Sequence, residues 1–175
     1  MASAATNLPL TFNTGDFTIE GWLYPASVSG GSFTIVSNRF DAGADTVLIF
    51  GFGTTYGLYF HTQDTFLLSS GTNLTANTWQ NVVLCRASGT VRIFLGGTQV
   101  GSTSSAQNLS STASMFVGQD GTRTSPALQY NGYMQDLRVT KGYAHYVAGT
   151  GANAGKMVFN GTNDLALPTA AFPVQ

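Results

Sequence analysis

The sequence predicts an all-β sandwich, and three observations carry that reading. Apolar and polar residues alternate with a period of two through most of the chain. No window of helical length holds the 3.6-residue apolar pattern, and glycine-rich turn signals recur at near-even spacing. Many short strands separated by such turns bury their apolar faces by packing one sheet on another.

In chain order the predicted strands are FTIEGWLYP (17–25), SFTIVSNRF (32–40), DTVLIFGF (45–52), TYGLYFHT (55–62), TFLLSS (65–70), WQNVVLCRA (79–87), TVRIFLG (90–96), ASMFVG (113–118) and GYMQDLRVT (132–140). Each is rich in β-branched and aromatic side chains, which suit a pleated, half-buried surface. Several are apolar on both faces, which implies that a further layer or a partner covers their outer side. Gly96-Gly97 lies between two alternating runs and predicts a tight hairpin, because a two-residue primed turn needs positive φ at both positions. Residues 101–114 read as a hydroxyl-rich loop, and VAGTGANAG (147–155) as an uncharged, flexible linker. Beyond it, KMVFNGTNDLALP (156–168) reads as one more strand. Residues 1–175 form one predicted domain, long enough for a sizeable core.

Composition excludes several classes of function. Charged residues make up 9% of the chain, against ~25% in ordinary soluble domains, so Ser, Thr, Asn and Gly carry the surface polarity. The net charge is −1 and the seven basic residues are scattered, which gives no footprint for nucleic acid. Runs such as VLIF (47–50) are too short to span a bilayer. The opening MASAATNLPL lacks the basic and apolar regions of a secretory signal, which predicts synthesis in the cytoplasm. Cys85, the single cysteine, has no intrachain partner and is expected to be an inert core thiol.

Four segments, TGDFTIEGWLYP (14–25), TWQNVVLCRASGTVRIFLGGTQVG (78–101), MFVGQD (115–120) and YNGYMQDLRVTKGYAHY (130–146), together resemble the laminin G-like, concanavalin A-like jelly rolls. The version they resemble is the one common in bacteriophage structural proteins. The resemblance implies an antiparallel jelly-roll β-sandwich. It also implies an ion pair between Glu20, in the EGW signature, and Arg138 on the last long strand. Gly96 stands where that family's hairpin has Asn, which preserves the turn. His145 stands where one variant of the family has Arg, so an ion pair of that Arg is lost.

A larger departure lies at the ends. Family members open with a strand like xxxFNGTxDYLxLP, and here MVFNGTNDLALPTAAF (157–172) matches it. The family's first strand is therefore expected from the C-terminal segment 156–172, through Lys156, Met157, Val158, Phe159, Leu165 and Leu167. It would either fold back in cis or complete a neighbouring subunit's sheet.

Candidate chemistry is sparse. Retaining glycanases need two carboxylates flanking one bond, but the chain holds one Glu and seven Asp with no such pair on any strand. His61 and His145 have no nucleophile motif beside them, and structural roles suit both better. GFGTTYG (51–57) misses the spacing of a nucleotide loop and reads as a turn. Asp41 and Asp45 in DAGAD, with Asp120 in GQDG, are candidate calcium ligands, although Asp is common in turns for its own backbone hydrogen bonds. No other cofactor is expected. Tyr24, Tyr56, Tyr130 and Tyr143 are candidate sugar-stacking rings, while both tryptophans are expected to fill the core.

From the resemblance, the first functional expectation is a non-enzymatic virion structural protein, a bacteriophage capsid decoration or fibre component on the virion surface. Its partners would be copies of itself, as in a cyclic trimer, and capsid or tail proteins. The second expectation is a glycan-binding module that recognises host or environmental polysaccharide.

Overall fold

The computed structural model describes residues 11–38, 48–62, 65–111, 113–120, 128–149 and 154–159. Twelve strands lie among them: β1 Phe17–Pro25, β2 Ser32–Ser37, β3 Ile49–Gly53, β4 Gly57–Thr62, β5 Thr65–Ser69, β6 Gln80–Ala87, β7 Thr90–Leu95, β8 Thr98–Ser104, β9 Phe116–Val117, β10 Gly132–Lys141, β11 Tyr146–Ala148 and β12 Met157–Phe159. They form two five-stranded antiparallel sheets, in the orders β10-β1-β6-β7-β8 and β5-β4-β3-β2-β9, and a separate β11-β12 ribbon. The two large sheets pack as an all-β sandwich.

Alternation along each strand builds the core. On β1, Phe17, Ile19 and Leu23 point between the sheets, and Val82, Leu84, Val91 and Ile93 do the same from β6 and β7. Phe50, Phe52, Leu58 and Phe60 meet them from β3 and β4. Arg86 shares the inward row of Val82 and Leu84 and is fully buried. Its guanidinium donates to the carbonyls of Asn13, Gly15 and Gln107 and lies over the Phe17 ring. Burial lowers its pKa, and Asp16 partly restores it. These bonds satisfy a charge that would otherwise be costly to bury, and they tie the 13–15 turn to the sheet.

The Gly96-Gly97 turn joins β7 to β8 with φ of 55° and 77°, and Leu95 pairs with Thr98 across it, as the sequence predicts. The loop predicted from residue 101 begins later, because Gly101–Ser104 still pair along β7. The strand predicted over 113–118 shrinks to Phe116–Val117, its pairing with β2 limited to Val36 and Ser37.

Part of the predicted 147–155 linker is ordered as strand, since Val147 and Ala148 belong to β11. Met157–Phe159 then pair antiparallel with Ala148–Tyr146 of the same chain. Two backbone bonds pin this ribbon to the β7–β8 hairpin: Met157 N donates to Gly97 O at 2.8 Å and Gln99 N to Gly155 O at 2.7 Å. Leu165 and Leu167 lie outside the described residues.

The ribbon covers the outer side of the β6–β7 half of its sheet. Val83, Cys85 and Phe94 project outward there and are fully buried, packed against Tyr146 and Met157. Cys85 is therefore not in the core between the sheets but in a second apolar cluster beneath the ribbon. Its thiol donates to Tyr146 O at 3.3 Å, and burial pushes its pKa up to about 12, which keeps it protonated and unreactive.

Candidate functional site

The end of the same outer face at Trp22, Trp79 and Tyr133 is open, whereas Thr18 and Glu20 on it are buried. On β1 the residues out of phase with Ile19 and Leu23 are Thr18, Glu20, Trp22 and Tyr24, and they point away from the core. Trp22 is 44% exposed and Trp79, just before β6, is 42% exposed. Both tryptophans were expected in the core. Strand parity overrides their hydrophobicity: Trp22 falls in the Glu20 row, and Trp79 falls in the outward row of Asn81 and Val83.

Register brings partners to these rings. Trp22 pairs with Asn81 on β6 and Gln135 on β10, and Tyr24 pairs with Tyr133. Ring centroids of Tyr24 stand 5.5 Å from Trp79 and 5.9 Å from Tyr133, so Trp79, at the start of β6, Tyr24 on β1 and Tyr133 on β10 form a row. Tyr133 is 68% exposed. Gly132 makes this close register possible, with φ at 147° and the Tyr24 carbonyl where a β-carbon would sit.

Next to that row, Trp22, Trp79, Gln135 and Asp136 line a cavity of about 130 Å³. A β-bulge shapes it. Glu20 pairs with Arg138 and Trp22 with Gln135, so Gly21 faces two residues of β10, Asp136 and Leu137. Asp136 takes a left-handed φ of 52°. That conformation is uncommon for a residue with a side chain, less so for Asp. A bulge re-aims the side chain it carries, and here it directs a carboxylate to the cavity while Leu137 turns to the core.

Beyond the bulge lies a tight polar network. Arg138 donates from Nε to Glu20 Oε1 at 2.9 Å and contacts it again from Nη2 at 2.7 Å. The Tyr146 hydroxyl donates to Glu20 Oε2 at 2.8 Å. Burial, with the Glu20 hydrogen bond second, pushes the Tyr146 hydroxyl up to about 12. Both oxygens of the single glutamate are thus committed to structural partners. This network also marks the border between the covered and open halves of the face.

Of the four candidate tyrosines, the structure brings only Tyr24 into the aromatic row. Tyr130 packs edge-on against Phe52 and donates its hydroxyl to Tyr133 O at 3.0 Å; burial pushes it to about 12. It supports the Tyr133 backbone from behind. Tyr56 lies edge-on to Tyr59 at the β3–β4 turn. Tyr143 stands 4.9 Å from the His145 ring, and that ring lies 3.1 Å from Thr140 Oγ1. His61 is on β4, in the opposite sheet. Asp120 is buried after β9, and Asp41 and Asp45 lie outside the described residues. Among the described residues no three metal-ligating side chains converge.

Trp22, Trp79, Tyr133, Gln135 and Asp136 are members of the site that sequence reasoning passed over. A signal existed for Trp22, in the strict alternation of FTIEGWLYP, where the apolar phase already belongs to Phe17, Ile19 and Leu23.

Comparison with known proteins agrees with the fold. The family described as the Concanavalin A-like lectin/glucanases superfamily matches residues 2–144. No curated protein matches the chain in sequence. Among solved structures, the native heptameric SAP-like pentraxin of Limulus polyphemus is similar, with a TM-score of 0.58 at 15% identity, over 82% of this chain and 75% of that one. A putative carbohydrate-binding protein of Bacteroides ovatus gives 0.62 at 15% identity, over 86% of this chain and 45% of that one. Domain 4 of a GH43 extracellular arabinanase of Geobacillus stearothermophilus, in complex with arabinotriose, gives 0.57 at 13% identity, over 78% and 64%. The chain thus spans less than two thirds of the last two.

Proposed function

The chain belongs to the concanavalin A-like lectin/glucanase superfamily, and we propose that it is a glycan-binding module whose contact surface is the open half of the β10-β1-β6 face. One observation carries this reading: two exposed tryptophans flank a cavity that also presents an amide and a carboxylate. Aromatic faces stack on the apolar faces of sugar rings, while Gln135 and Asp136 offer hydrogen-bond partners for hydroxyls. Ligand surfaces of this kind combine apolar area with a few placed polar groups. Carbohydrate-binding neighbours of the same fold support the reading.

The module binds without catalysis on this account. Glycoside hydrolysis takes an acid and a second carboxylate as base or nucleophile, and Glu20 is held by Arg138 and Tyr146. Binding to immobilised glycans, read before and after Trp22→Ala and Trp79→Ala, tests the proposal. Loss of binding in both variants with the fold retained supports it, and unchanged binding sinks it.

A second proposal is the assembly role on a virion surface, as capsid decoration or fibre component. The sequence resemblance supports it, and so does β10, a ten-residue strand that ends its sheet among the described residues, since a sheet edge is a template for another chain. Against subunit exchange of residues 157–159 stands their pairing with β11 in cis. Mass by light scattering across a dilution series separates the two: a persistent oligomer supports assembly, and a monomer supports the self-contained module.

A further inference from the structure

The shape of the site limits what can occupy it. Asp136 lines two cavities: the one beside Leu137 and Arg138 measures about 590 Å³, whereas the one at the tryptophans, about 130 Å³, is well below the roughly 300 Å³ at which pockets begin to enclose a small ligand. It has room for one edge of a sugar ring. The remaining contact area is the row Trp79–Tyr24–Tyr133, which advances in two steps of 5.5 and 5.9 Å from the start of β6 over β1 to β10. That row is longer than a single pyranose. Its far end, Tyr133, is its most exposed ring. A monosaccharide seated at Trp22 and Trp79 leaves Tyr133 uncovered.

The charges narrow the chemistry further. Among the described residues, Asp136 is the one ionisable group lining the cavity at the tryptophans. The neighbouring cation, Arg138, is neutralised by Glu20 at 2.7 Å. A uronate or sialate seated here would meet the Asp136 carboxylate with no uncompensated cation beside it among the described residues, whereas neutral hydroxyls can donate to it.

Building on the glycan-binding proposal, we infer that the ligand is a neutral oligosaccharide chain of at least two rings, lying across β6, β1 and β10. One ring is gripped between Trp22 and Trp79 beside Asp136, and the next stacks toward Tyr133. The site therefore reads chain length and lack of charge, not the identity of a single sugar.

Calorimetric titration of the full chain tests this with xylose, xylobiose, xylotriose and xylohexaose. Parallel gluco and arabino series, and oligogalacturonates of matching length, complete the panel. Affinity is expected to rise about tenfold or more from monomer to trimer in at least one neutral series, because a further aromatic contact is engaged. Tyr133→Ala, at an exposed position, should abolish that gain, read as the ratio of trimer to monosaccharide affinity falling to about one. Equal affinity for monomer and trimer, with Tyr133→Ala silent, overturns the chain-length inference and leaves the glycan proposal standing. Tighter binding of the galacturonates overturns the inferred neutrality. No binding in any series, with the fold confirmed by circular dichroism, removes the glycan proposal and this inference together.

Discussion

The two halves of one sheet face differ in what covers them. Toward β7, the outward residues Val83, Cys85 and Phe94 lie beneath the chain's own β11–β12 ribbon and are fully buried. Toward β10, the outward residues Trp22, Trp79 and Tyr133 are left in water. The covered residues are aliphatic, aromatic or thiol groups with no polar atom that needs solvent. The open ones carry a polar tip or stand beside Asn81, Gln135 and Asp136. Apolar surface that serves only burial has been buried, and amphipathic surface has been kept open, as expected of a face that meets a polar, hydroxylated ligand.

Disrupting the covered half should cost the most. Phe94→Ala removes a fully buried ring and should lower unfolding stability by about 3–5 kcal/mol in urea titration. Met157→Ala, trimming the ribbon's half-buried contribution, should cost about 1–2 kcal/mol. It should also raise the reaction rate of Cys85 with a thiol reagent, since the ribbon shields the thiol. An unchanged rate would mean that the ribbon does not protect this cluster.

In the open half the pattern reverses. Trp22→Ala should leave stability within about 0.5–1 kcal/mol while cutting glycan affinity about tenfold. Arg138→Ala, at the border, should cost about 1–3 kcal/mol, because the arginine is 62% exposed but its Glu20 partner, at 9%, is left with the Tyr146 hydroxyl.

The covered half also sets a pH dependence. Cys85 is raised from 9.0 to about 12 in the fold, so the folded state keeps its proton where the unfolded state loses it. The stabilisation is complete below about pH 9 and lost as pH rises toward 12. Tyr146, raised from 10.0 to about 12, adds to the same alkaline decline. Urea midpoints between pH 8 and 10 should fall for the native chain and stay flatter for Cys85→Ala.

Much of the fold could be read from alternation and turn chemistry, because local rules govern both. The β1 pattern and the Gly96-Gly97 hairpin are examples. The double apolar phase of WQNVVLCRA also implied a cover over the outer face. That the cover is Tyr146–Ala148 with Met157–Phe159 depends on long-range docking, which no local pattern encodes.

The site was less legible. Trp22 is assignable by parity, yet its size argues for the core. Trp79 lies before its strand begins, so parity had to be carried outward from β6. The Asp136 bulge arises from the register between β1 and β10, where Gly21 faces two residues. A single strand's sequence does not display that register.

The chain has two tryptophans, and both stand at the cavity, so the indole signals of nitrogen-15-labelled protein report on the site directly. Titration with the neutral oligosaccharides should move both indole cross-peaks saturably, while the amides of Met157 and Val158 hold still. Indole peaks that stay fixed across the panel, or shifts confined to the ribbon, would contradict the account.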